Sequence, residues 1–66
     1  MNATFIKEIR TERGLTQGQL AAASGINVRM IQHYEQGSKD LKKAAAETVL
    51  KIAKALNCTV EDLIGN

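Results

Sequence analysis

The chain has 66 residues, 44% hydrophobic and 24% charged, and nine Lys/Arg against seven Asp/Glu leave a net charge of +2. That length holds one small domain spanning 1–66 and excludes a second. The lone Cys58 excludes an internal disulfide and a multi-cysteine zinc site, so no metal or cofactor is expected. No apolar run approaches the roughly 20 residues of a membrane span, and the first residues do not open like a secretory signal. A reduced, cytoplasmic domain with no membrane partner is expected. Taken alone, a charge of +2 is too small to announce a nucleic-acid partner.

Frequent alanine, absent proline and the lack of any period-two alternation favour an all-α chain. A first helix is expected over about 3–13, with Phe5, Ile6 and Ile9 as its apolar stripe and Gly14 as its left-handed cap. Thr16, with Gln19 three residues on, has the spacing of a capping box for a second helix over 17–24, which Gly25 ends. Ile26 follows as an apolar anchor. Asn27 suits the N-cap of a third helix over 28–36, burying Ile31 and Tyr34 and closed by Gly37.

Residues 38–44 are polar and lysine-rich and predict a loop with at most one helical turn. A fourth helix over about 45–56 carries the stripe Ala45, Val49, Ile52, Ala53 and Leu56. Asn57 suits a left-handed cap, and Thr59 the N-cap of a last short helix through Val60, Leu63 and Ile64. The result is a compact five-helix bundle. Cys58 is expected to be a buried filler, because a reactive thiol needs an exposed, electropositive setting. His33 has no nucleophile or orienting acid that the helical layout would bring near it, so no enzyme is expected.

The stretch 16–37 holds two short helices joined by a Gly-containing turn, a helix-turn-helix arrangement in which the first helix braces an outward second. Leu15-Thr16-Gln17, Leu20-Ala21, Gly25-Ile26, Ile31, Glu35 and Gly37 resemble the Cro/repressor-type helix-turn-helix family, the XRE-like or lambda-repressor-like domains. Residues 47–56 and Val60-Glu61-Asp62-Leu63 resemble the closing helices of that family, and the likeness runs over about 6–64.

The resemblance implies a sequence-specific double-stranded DNA-binding transcriptional regulator, a repressor whose helix 28–36 lies in the major groove. It implies base contacts from Val28, Arg29, Gln32, His33 and Met30, and phosphate contacts from Thr16, Gln17, Gln36, Lys39, Lys42 and Lys43. It also implies an ion pair between Arg10 and Glu35. The sequence departs from the family in a longer, proline-free connector over 38–44. Ser24 stands where an apolar residue is usual, which predicts looser packing at the turn, and Met30 is bulkier than its usual counterpart.

One recognition helix reads only about four or five base pairs, too few for genomic specificity, so a homodimer is expected. Its interface is expected at the C-terminal end, where Leu50, Val60, Leu63 and Ile64 cannot all face so small a core. A chain closing at Asn66 leaves no expected effector domain. The alternative function is a protein-interaction module, such as an antitoxin binding a toxin or an antagonist of another regulator, with DNA binding serving autoregulation. Charge divides along the chain: 27–43 carry Arg29, Lys39, Lys42 and Lys43 against Glu35 and Asp40, whereas 44–66 are slightly acidic.

Overall fold

Residues 5–65, the part of the chain that the computed structural model describes, form five α-helices and one 3₁₀ turn. They are α1 (Ile6–Glu12), α2 (Gln17–Ser24), α3 (Val28–Gln36), the turn Leu41–Lys43, α4 (Ala46–Ala55) and α5 (Val60–Ile64). Among the described residues there is no strand, as the sequence predicts. No helix of the described residues is long and apolar enough to cross a membrane.

Local chemistry sets the ends of the two central helices. The Thr16 hydroxyl accepts the Gln19 N–H at 3.0 Å while the Gln19 side-chain oxygen accepts the Thr16 N–H at 2.8 Å, the reciprocal pair of a capping box. Asn27 Oδ1 accepts the Arg29 N–H at 2.7 Å and starts α3. Gly25 and Gly37 stop α2 and α3 at φ of 75° and 85°, where a side chain would be strained. Replacing Thr16 by alanine is expected to cost about 1 kcal/mol in urea unfolding, with the m-value unchanged.

A second capping box, Thr59 with Asp62, opens α5 at 3.0 Å in both directions. The Thr59 backbone N–H, and next its side chain, hold the Asp62 carboxyl below its usual range. That contribution is therefore present above the ordinary carboxylate range and is lost as pH falls through the lowered value.

Every element sends at least one residue into the core. Ile6 comes from α1, Leu20 from α2, Ile31 from α3, Leu41 from the 3₁₀ turn, Ile52 from α4, Leu56 from the α4 cap and Leu63 from α5, and none is exposed. Tyr34, Val49 and Ala53 complete the buried apolar set. α2 packs against both α3 and α4, α4 against α5, and α1 against α3. The start of α1 is also joined to α5, because the Phe5 N–H donates to the Leu63 carbonyl at 2.8 Å.

Several sequence expectations require correction. Phe5 is the N-cap of α1 and is 41% exposed, so it does not share the stripe of Ile6; Ala3 and Thr4 lie outside the described residues. Ala45 is an exposed N-cap, one residue before α4 begins. Ser24 is buried and does not loosen the turn: its hydroxyl accepts the Ile26 N–H at 3.2 Å, tying the end of α2 to the turn. Leu41 is a core residue within the stretch read as polar loop, held there as Asp40 Oδ1 accepts the Lys42 N–H at 2.9 Å. Leu63 is wholly buried in its own core and is unavailable to a partner.

Candidate nucleic-acid interface

The face of α3 divides by helical period. Ile31 and Tyr34 point into the core, and opposite them, at spacings of three, four and seven, lie Arg29, Gln32, His33 and Gln36. Arg29 and Gln36 are exposed; Gln32 and His33 are half-buried. Val28, at the start of the helix, is 38% exposed. Met30 differs from these, because it packs against the core edge beside a groove lined by Tyr34, Lys39, Asp40, Lys43 and Ala44. Its bulk thus fills the side of α3 facing the basic loop.

A hydrogen-bonded row braces α3 against α1 and α2. Arg10 Nε meets Glu35 Oε2 at 2.7 Å and Arg10 Nη2 meets Glu35 Oε1 at 3.1 Å, a bidentate pair. The remaining guanidinium nitrogen, Nη1, donates to the Leu15 carbonyl at 2.8 Å, at the entry to the α2 cap. The bonds donated to Glu35 raise the pKa of Arg10 further above its already high value, against the cost of burial. Gln17 Nε2 also donates to Glu35 Oε1, at 3.0 Å, and Gln17 Oε1 accepts from Gln32 Nε2 at 3.4 Å. The resemblance leads only to the first pair. Gln17 and Gln32 come together because α2 crosses α3, which spacing along the chain does not reveal.

The α2 entrance is suited to a phosphate. Besides the Gln17 amide it offers the N–H groups of Gln17 and Gly18, which a helix leaves without internal partners, at the positive end of its dipole. The Thr16 hydroxyl is already committed to its cap as an acceptor but retains its proton to donate. At the other end of α3 the His33 carbonyl accepts the N–H groups of Gly37, Ser38 at 2.9 Å and Lys39 at 3.3 Å. This knot sets the direction in which the basic loop leaves. Lys39, Lys42 and Lys43 are all exposed along it. His33 Nδ1 is buried with no hydrogen-bond partner among the described residues, so Nε2 is the nitrogen with which the ring can meet a ligand.

Two residues away from this face complete the picture. Arg13, which no pattern in the sequence marks, donates from Nε to the Leu56 carbonyl at 2.9 Å and from Nη2 to the Asn57 carbonyl at 3.4 Å, capping the negative end of α4. Cys58 is half-buried, less enclosed than expected. Burial and the charge of Asp62 push its thiol pKa up, away from thiolate chemistry. Among the described residues no group of His, Cys, Asp or Glu could hold a metal ion.

A short helix capped toward solvent, braced across a second whose outer face is polar and basic, defines a helix-turn-helix unit of the kind that docks on DNA. Residues 6–63 match the helix-turn-helix family model (HTH_3), and the chain belongs to that family of DNA-binding regulators. Over 59 residues, 89% of this chain, it is 37% identical to the HTH-type transcriptional repressor RghR of Bacillus subtilis (strain 168). The chain spans 42% of that repressor's length. The fold matches the crystal structure of the restriction-modification controller protein C.AhdI from Aeromonas hydrophila with a TM-score of 0.77 at 30% identity. That match covers 86% of this chain and 82% of the controller.

Proposed function

We propose that the protein is a sequence-specific repressor that binds double-stranded DNA as a homodimer, with α3 in the major groove of each half-site. The observation that carries this reading is the polar strip of Arg29, Gln32, His33 and Gln36 opposite the buried Ile31 and Tyr34. Arg29 is suited to bridge guanine O6 and N7, Gln32 to bridge adenine N6 and N7, and Val28 to meet a thymine methyl. His33 donates or accepts through Nε2. Met30, packed at the core edge, touches at most the rim of the groove. Thr16, Gln17 and Gln36, with Lys39, Lys42 and Lys43, hold the phosphates on either side.

The homodimer uses the face formed by α4 and α5. There an open groove runs between the 3₁₀ turn, α4 and α5, lined by Leu41, Lys42, Ala44, Val49, Val60 and Ile64, among others, and Lys42 belongs both to this lining and to the basic loop. Leu50, 46% exposed, lies one turn beyond Ala46 on α4. With Leu63 withdrawn into the core, Leu50, Val60 and Ile64 supply the apolar contact. Sedimentation of the protein on a two-half-site duplex tests this: two chains per duplex are expected, and one chain at high micromolar concentration contradicts the dimer.

Arg29→Ala tests the register of α3. It is expected to cost about 1–3 kcal/mol on the preferred duplex and to relax selectivity at one base position, with non-specific binding changed less. Equal weakening on every sequence would move Arg29 from the bases to the phosphates.

A further inference from the structure

The row from Arg10 to Gln32 has a direction. Glu35 has a side chain only 4% exposed and, paired with Arg10, it can only accept hydrogen bonds. Its Oε1 already receives both Arg10 Nη2 and Gln17 Nε2. An amide that turns its nitrogen to a carboxylate turns its oxygen away, and Gln17 Oε1 therefore faces Gln32 Nε2. Flipping the Gln17 amide would set oxygen against the Glu35 carboxylate and nitrogen against nitrogen at Gln32. The Gln32 side chain makes no other hydrogen bond among the described residues, so its Oε1 and second N–H remain for a ligand.

A glutamine on a solvated helix can present either end of its amide, and so tolerates a base-edge donor or acceptor. The row removes that freedom. Resting on the reading of α3 as the groove-entering helix, we propose that Glu35 is a positioning residue for base selection: through Gln17 it fixes the Gln32 amide with Oε1 outward. Gln32 then selects a base carrying an exocyclic amine in the major groove. Adenine fits best, because N6–H donates to Oε1 while N7 accepts the remaining Nε2–H. Cytosine comes second, through N4–H alone. Guanine O6 and thymine O4 can take only the remaining Nε2–H, leave Oε1 without a donor, and are disfavoured against adenine. Gln17 keeps its own second N–H for a phosphate oxygen, so one side chain links backbone position to base choice.

The test compares base-preference profiles of the full chain and its variants, from selection and sequencing of a randomised duplex library. Gln32→Ala locates the position that Gln32 reads, where the parent protein prefers adenine by roughly tenfold. Gln17→Met keeps the side chain's length and leaves Arg10 and Glu35 paired, but cannot relay the orientation. It is expected to reduce that one preference to about twofold while other positions keep theirs. Glu35→Gln, whose amide can donate as well as accept, is expected to act in the same direction, with thermal melts reporting its fold separately.

If Gln17→Met weakens binding while the adenine preference persists, the relay is wrong and Gln17 serves the phosphate alone. A guanine or thymine preference at the Gln32 position would overturn the assigned amide orientation. If Gln32→Ala alters no position, Gln32 reads no base; if Arg29→Ala alters none either, the base-reading role of α3 fails instead, and the failures are told apart.

Discussion

Arg10→Met is expected to destabilise the domain by about 3–5 kcal/mol, because it leaves the Glu35 carboxylate buried without its cation. Glu35 is only 4% exposed, and after the change Gln17 is its remaining hydrogen-bonded side chain. The substitution also removes the donor to the Leu15 carbonyl, at the entry to α2. A core in a chain of this size rarely supplies more than about 3–5 kcal/mol in total, so far-ultraviolet circular dichroism at 25 °C should show most of the helix lost. The double variant Arg10→Met/Glu35→Leu is expected to fold again, since exchanging a buried pair for apolar groups is often neutral. A cost below about 1 kcal/mol for Arg10→Met would mean that the pair behaves like a solvent-exposed one.

DNA affinity should fall on the order of a thousandfold between about 50 and 200 mM salt, the loss that six or more released counterions produce. The modest charge of +2 does not argue against this, because the charges are unevenly placed. Arg29, Lys39, Lys42 and Lys43 lie on α3 and its following loop, Glu35 is engaged by Arg10 and Gln17, and Asp40 caps the 3₁₀ turn. Glu61 and Asp62 lie on α5, on the other side of the basic loop in the sequence. Replacing Lys42 and Lys43 together by glutamine should reduce the slope of log affinity against log salt by about two per chain if both meet phosphates. A flat response, with no duplex bound at any salt, would favour the protein-interaction reading.

The two helices that matter most were legible because their limits are set locally. Thr16 with Gln19, Asn27, Gly25 and Gly37 act over two or three residues, and α2 and α3 begin and end where those residues require. The same holds for Asn57 and Thr59 around α5. Leu41 was not legible: one leucine between Asp40 and two lysines has no periodicity, and only the fold of the loop carries it inward. Phe5 misled for the opposite reason, since an aromatic beside Ile6 reads as stripe, yet its backbone is the helix cap.

Side-chain links between elements depended on how they cross. Arg10 with Glu35 follows from the resemblance, whereas Gln17 with Gln32 and Arg13 with the α4 terminus follow only from the fold. The α3 strip was legible in outline from its period alone. What the sequence could not supply was the state of each side chain on it: Gln32 hydrogen-bonded to Gln17, Met30 packed at the core edge, and His33 with Nδ1 buried.

Selection of the purified protein against a pool of random duplexes tests the central claim most directly, that α3 of each of two chains reads DNA. The expected product is a palindromic motif with half-site centres about 10 base pairs apart, lost or altered at single positions by Arg29→Ala and Gln32→Ala. Enrichment of no motif, or of one that neither substitution changes, would contradict it.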